Sequence, residues 1–160
     1  MTFVARPPAS AINPSPVEET DVINDGFFPN IDPAAVREAV RITESVTPAR
    51  LRAAILGAIM TVEIDLRAFA AASIAAGHTS LDAVPAPQLD GRSVQMIRYE
   101  RAIALYAKAE LIDRYRDFDT TAAGGSQADE LTPTIVELRR DAMHAIRDIL
   151  GTTRTVVDLI

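Results

Sequence analysis

Apolar residues recur at intervals of three and four along most of the chain, which is the spacing of amphipathic helices. Three polar–proline pairs mark helix starts, because the polar side chain caps the helix and proline fits its first turn: Asp32-Pro33, Thr47-Pro48 and Thr132-Pro133. Gly77 and Gly151 suit the ends of the second and fourth helices. The pattern predicts four helices, with approximate bounds 33–43, 48–76, 92–118 and 133–150.

Two of these helices carry apolar residues on more than one face. In the second helix, a main stripe of Leu51, Ile55, Ile59, Val62, Leu66 and Phe69 is opposed by Leu56, Met60 and Ile64. In the third, a main stripe of Val94, Ile97, Ala104, Leu105, Leu111, Ile112 and Tyr115 is opposed by Tyr99, Ile103 and Tyr106. Each second face is either a further core layer or a contact between subunits. We expect the core for the Leu56 set and the interface for Tyr99 and Tyr106, since tyrosine tolerates partial wetting.

Both ends of the chain differ from the helical middle. Residues 1–31 are rich in proline and acidic side chains, and their apolar positions follow no period, which predicts an extended arm that is mobile over residues 1–24. Phe27, Phe28 and Ile31 form the apolar part of this arm, and we expect them to anchor it on the helical body or on a neighbour. The sequence therefore predicts an all-α protein with an extended N-terminal arm (1–31), a small bundle of about four helices (32–151) and a short C-terminal tail (152–160).

The tail is β-branched and apolar towards its end, where Val156, Val157, Leu159 and Ile160 stand. We expect these four residues to dock outside their own bundle, on an adjacent subunit or another protein, in the manner of an added strand. The alternative is that the tail folds back on its own helices.

Composition excludes several classes of function. The chain of 160 residues has no cysteine, so disulfides, thiolate metal sites and cysteine nucleophiles are absent. It contains no phosphate-binding loop, nucleophile elbow or paired-histidine zinc motif. The net charge of −6 argues against tight, sequence-independent binding to DNA. No segment is apolar for long enough to span a membrane, and no export signal is predicted. We therefore expect no enzyme activity and no cofactor.

One acidic cluster is a candidate cation site. Glu110, Asp113 and Asp117 share a face of the third helix, and carboxylates so placed suit a hard cation. Arg114 and Arg116 lie between them, which favours a solvated, salt-bridged helix face instead. A metal-binding or enzymatic protein built on these carboxylates, or a small helical DNA-binding regulator, remains the alternative to an interaction protein.

Several stretches resemble the head completion (head stabilisation) proteins of contractile-tailed temperate phages, the protein L family. The resemblance begins near residue 25 and rests on the order and spacing of these segments: 25–32 (DGFFPNID), 46–51 (VTPARL), 81–91 (LDAVPAPQLDG), 98–123 with its centre at AKAE and RYRDFD, 138–141 (LRRD), 147–151 (RDILG) and 157–160 (VDLI).

The resemblance implies a structural role in the virion. Such proteins are expected to form a dodecameric ring beneath the portal, where the ring completes the DNA-filled head and offers a platform for the tail. The partners implied are other copies of the chain, the portal protein, a tail terminator or tail-completion protein, and packaged DNA that passes without sequence-specific binding. The expected location is the head–tail neck of the virion, assembled in the host cytoplasm.

Overall fold

The computed structural model describes residues 19–115 and 134–152, which contain four α-helices and one small antiparallel pair of strands. The helices are α1 (Pro33–Val40), α2 (Pro48–Ala75), α3 (Val94–Tyr115) and α4 (Ile135–Leu150). The strands β1 (Gln88–Leu89) and β2 (Arg92–Ser93) precede α3, with Gln88 opposite Ser93 and Leu89 opposite Arg92. The helical fold class is thus confirmed.

Local sequence signals place the helix ends closely. The Asp32 side chain accepts a hydrogen bond from the Ala34 amide at 2.8 Å and begins α1, as predicted. The first helix ends earlier than predicted, at Val40, because Arg41 adopts the left-handed conformation. The fourth helix begins later than predicted: its cap is Thr134 rather than Thr132, in a capping box with Glu137. Gly151 ends α4 with a φ of 66°, as predicted.

Helix α3 is central, because it packs against α1, α2 and α4. The predicted main stripe of α2 is confirmed, with Leu51, Ile55, Val62 and Leu66 fully buried and Ile59 nearly so. The predicted stripe of α4 is also buried, except that Ile135 is half-buried.

For the second apolar face of each of these two helices, α2 and α3, the predicted choice between core and subunit interface is wrong. Leu56, Met60 and Ile64, expected in the core, are 44%, 63% and 63% exposed. Tyr99 and Ile103, expected at an interface between subunits, are completely buried inside this chain. Helix α3 meets three helices, so its most buried positions lie on the face with Tyr99 and Ile103 rather than along the predicted main stripe.

The described part of the N-terminal arm, residues 19–31, is packed against the helices. Val22 and Ile31 exchange backbone hydrogen bonds of 2.8 and 3.0 Å, and both side chains are buried. The expectation of mobility is therefore wrong for residues 19–24, while residues 1–18 lie outside the described residues. The predicted break around Gly124-Gly125 and the tail from residue 153 also lie outside them.

Candidate interaction surfaces

An aromatic cluster joins the arm to the helical body. The rings of Phe28 and Tyr99 are stacked, with centroids 4.8 Å apart and an interplanar angle of 9°. Phe27 meets Phe28 edge to face at 5.1 Å, and the Phe27 carbonyl accepts a hydrogen bond from the Leu81 amide at 2.8 Å. Phe27, Phe28 and Ile31 are all buried in the core of the same chain. Of the two anchor sites that the sequence left open, these side chains therefore occupy the helical body.

A tight turn presents the two phenylalanines to that cluster. One carboxylate oxygen of Asp25 accepts hydrogen bonds from the amides of Phe27 and Phe28, at 3.0 and 3.3 Å. Gly26, between Asp25 and Phe27, has a φ of 105°, a conformation that residues with a side chain rarely adopt. The turn therefore explains how two adjacent aromatic residues in a polar segment reach the core.

The Tyr99 hydroxyl links the arm, α3 and α2. It accepts a hydrogen bond from the Asn24 side chain at 2.9 Å and donates one to a Glu63 carboxylate oxygen at 3.2 Å. Burial, together with the charge of Glu63, raises the pKa of Tyr99 well above its usual value of 10.0. Tyr99 consequently acts within the subunit, as a neutral donor in a buried network, and presents no surface to a neighbour.

Two arginines hold the start of the described arm. Arg37 of α1 forms a half-buried ion pair with Glu19 and also donates to the carbonyls of Thr43 and Val46, at 3.0 and 2.7 Å. Arg52 of α2 donates to the Thr20 carbonyl at 3.0 Å. The sequence assigns no role to these arginines, because Glu19 and Thr20 lie 18 and 32 positions away from them and no local motif marks the contacts.

The outer face of α2 is apolar and exposed. Leu56, Met60, Ile64 and Ile74 lie on it, and Arg67 is its charged residue. From Leu56 to Ile74 the face is about 27 Å long, at a rise of about 1.5 Å per residue. No described element of the chain covers these four side chains, which are 44–63% exposed. Exposed apolar surfaces are candidates for contact with another protein.

The predicted acidic cluster is paired with arginines where the structure describes it. Glu110 pairs with Arg114 at 3.1 Å, one helical turn away, and Asp113 pairs with Arg139 of α4 at 2.8 Å. Asp117 lies outside the described residues. Among residues 19–115 and 134–152, no group of three metal-ligating side chains of the His, Cys, Asp and Glu types comes together.

Tyr106 lines a polar cleft of about 280 Å³ beside these ion pairs. Its side chain is partly buried and packs against the core, and burial raises the pKa of its hydroxyl, with a smaller contribution from Asp65. Tyr106 therefore keeps some accessible surface, whereas Tyr99 has none. The two tyrosines, grouped by the sequence pattern, have different surroundings.

A groove of about 640 Å³ separates α1 from the outer side of α3. Lys108 of α3 donates a hydrogen bond to the carbonyl of Val40, the last residue of α1, at 2.6 Å. Burial and the charge of Arg41 lower the pKa of the Lys108 ammonium group.

The predicted contact residues of the tail lie outside the described residues: Val156, Val157, Leu159 and Ile160.

The described residues form a small helical protein with a buried aromatic cluster and an exposed apolar face on α2. The two described carboxylates of the candidate cation site are each held by an arginine. No helix among the described residues is long and apolar enough to cross a membrane.

The chain belongs to a family of phage virion proteins. The sequence model of the family described as "Phage head completion protein (GPL)" matches residues 22–160. The chain is 41% identical to the "Head completion/stabilization protein" of Escherichia phage P2 over 152 residues, which cover 94% of this chain and 90% of the relative. It is 25% identical to the "Probable head completion/stabilization protein" of Haemophilus phage HP1 (strain HP1c1) over 146 residues, 89% of this chain and 94% of the relative. No solved structure compared with the chain matches it significantly.

Membership of the phage head completion family is therefore established, and it makes the chain a structural component of the virion. The resemblance inferred from the sequence segments is confirmed, and the match extends three residues further towards the N-terminus than those segments do.

Proposed function

We propose that the chain forms a connector ring beneath the portal of the DNA-filled head, where it completes and stabilises the head and prepares it for tail joining. Its partners in this role are further copies of itself in an expected dodecamer, the portal protein, and a tail terminator or tail-completion protein. The site of action is the head–tail neck, after assembly in the host cytoplasm. The family match supports the head-completion role, and the exposed apolar face of α2 carries the step to an assembly.

The α2 face is assigned to the contact between copies. Each subunit carries a net charge of −6, so two copies repel one another unless they meet through a surface with little charge. Leu56, Met60 and Ile64 offer such a surface, and their solvent exposure leaves them without a role in the core. Depletion of charge at the centre is also characteristic of protein interfaces. A ring repeats this contact at every subunit boundary.

Acidity also suits the passage of DNA. A chain with 22 acidic and 16 basic residues gains little from phosphate neutralisation, so packaged DNA slides past it without specific binding. The buried aromatic cluster contributes by holding residues 19–31 on the body, which keeps one shape for each subunit before it joins the ring.

Substitution of the α2 face tests the proposal. The double variant Met60→Asp, Ile64→Asp is compared with Val136→Asp, which alters an exposed aliphatic residue on α4 (75% exposed). Both proteins should keep wild-type helicity by circular dichroism, because both changes lie on the surface. In phage particles, only the α2 variant should be missing from DNA-filled heads, and those heads should fail to join tails.

Normal incorporation of the α2 variant would contradict the assignment of this face. Normal tail joining by heads that lack the chain altogether would contradict the head-completion role itself. The two outcomes separate an error about the surface from an error about the function.

A further inference from the structure

The groove between α1 and α3 is apolar along its floor. Ala35 and Ala39 of α1 leave space because their side chains are small, and Ile97 and Leu105 of α3 line the opposite wall. Its volume of about 640 Å³ lies within the range of pockets that bind ligands or peptide side chains. The groove thus has room for several aliphatic side chains.

The lining of the groove carries four charged side chains, Asp32, Arg92, Glu100 and Arg101, so its formal charges balance. Arg92 and Glu100 pair with each other across 2.5 Å and therefore neutralise one another. Arg101, also on the rim, is exposed and has no ion-pair or hydrogen-bond partner among residues 19–115 and 134–152. An apolar floor beside a guanidinium with no partner among the described residues fits an aliphatic segment whose carboxylate can reach Arg101.

The C-terminal end of α4 contacts α3 one helical turn from Arg101 of the groove. Arg98 of α3 donates a hydrogen bond to the Asp148 carbonyl at 3.0 Å, and Arg98 is one helical turn from Arg101. Thr152 is the last described residue, and eight residues follow it. Extended, these eight residues span about 26 Å, at about 3.3 Å per residue. The α3 wall from Ile97 to Leu105 rises only about 12 Å.

The sequence of those eight residues matches the groove. It contains four aliphatic side chains, Val156, Val157, Leu159 and Ile160, and two charged ones, Arg154 and Asp158. We propose that the groove between α1 and α3 binds residues 153–160 of the same subunit, with the aliphatic side chains on its floor and Asp158 paired with Arg101. This assignment goes beyond the connector role and does not depend on it.

The same subunit is favoured over a neighbour because of the position of the tail's root. A segment tethered next to its binding site has an effective concentration in the millimolar range, far above that of separate copies in dilute solution. Sequence analysis left the fold-back alternative open, and the contact between Arg98 and the end of α4 now favours it.

Cysteine crosslinking of the full chain tests the proposal, since the chain has no cysteine of its own. The test pair is Ala39→Cys with Leu159→Cys, and the control pair is Ala71→Cys with Leu159→Cys. Ala39 and Ala71 are both exposed helical alanines, and Ala71 lies on α2, outside the groove. Under mild oxidation, the test pair should form an intramolecular disulfide at least about five-fold faster than the control pair, because docking raises the local thiol concentration.

Equal rates for the two pairs would overturn the groove assignment. A disulfide-linked dimer as the main product of the test pair would overturn the same-subunit assignment and place the tail on a neighbouring copy. Faster crosslinking of Ala39→Cys to Val4→Cys than to Leu159→Cys would make the N-terminal segment the occupant instead.

Charge reversal tests the ion pair separately. In the test pair, Arg101→Glu should slow disulfide formation about two- to five-fold, the range of an exposed ion pair. Adding Asp158→Arg should restore the rate, whereas Arg67→Glu on α2 should leave it unchanged. Failure of Asp158→Arg to restore the rate would refute the pairing of Arg101 with Asp158.

Discussion

Phe28→Ala should destabilise the subunit strongly, although Phe28 belongs to a segment with no regular secondary structure. The side chain is 5% exposed, stacks on Tyr99 and touches Phe27 edge to face. Truncation of a buried phenylalanine costs about 3–5 kcal/mol through lost apolar burial and the cavity left behind. For a domain of this size, that corresponds to a fall in melting temperature of about 6–20 °C.

Urea titration followed by circular dichroism at 222 nm measures the change. The control is Ile23→Ala, an aliphatic truncation in the same arm at a side chain that is 69% exposed, for which we expect a loss of less than about 0.5 kcal/mol. A loss for Phe28→Ala within about 1 kcal/mol of the control would refute the claim that the arm is part of the core.

Three further changes test other contacts. Tyr99→Phe should lower the free energy of unfolding by about 1 kcal/mol at pH 7. Because the pKa of Tyr99 is raised in the folded state, the stabilisation by its hydroxyl is complete below pH 10 and declines above it. In alkaline urea titrations the wild type should therefore lose stability relative to Tyr99→Phe. Thr134→Ala should lower the stability of the subunit by about 1 kcal/mol in thermal melts through loss of the α4 cap, while Thr134→Ser preserves it. Arg37→Gln should release Glu19 and speed hydrogen exchange at the Val22 amide. Unchanged protection of that amide would show that the Arg37–Glu19 ion pair does not hold the arm in place.

Helix starts and ends could be predicted because their causes are local. Asp32-Pro33 and Thr47-Pro48 combine a cap with a residue suited to the first turn, and Gly151 supplies a left-handed end; each signal lies within a few residues of the boundary it sets. The β1–β2 hairpin was missed, yet Asp90-Gly91 between the strands is a known signal for a two-residue turn, and both residues have positive φ.

The packing partners could not be predicted, because periodicity reveals apolar faces without saying what covers them. Helix α2 has two such faces and only one meets the bundle, which leaves Met60 and Ile64 in solvent. Tyr99 has a polar end that suggests an interface, but Asn24 and Glu63 satisfy its hydroxyl inside the subunit. Asn24 lies 75 positions away along the chain from Tyr99, and such a contact follows only from the complete fold.

For the acidic cluster of the third helix, too, the local contact could be predicted and the long-range one could not. Glu110 and Asp113 were correctly placed on the third helix, and the sequence favoured ion pairing over cation binding. The pairing of Glu110 with Arg114 follows from helical spacing, whereas that of Asp113 with Arg139 requires the packing of α3 against α4. The α1–α3 groove likewise depends on how two distant helices meet, so no sequence pattern indicated it.

Electron cryomicroscopy of the neck, in phage particles that contain this chain, tests the central claim most directly. The account predicts a dodecameric ring of this chain between the portal and the tail, with the α2 face of each subunit, including Met60 and Ile64, buried at the boundary with the next copy. A virion in which the chain lies elsewhere in the capsid, or a neck ring whose subunits leave that face in solvent, would contradict it.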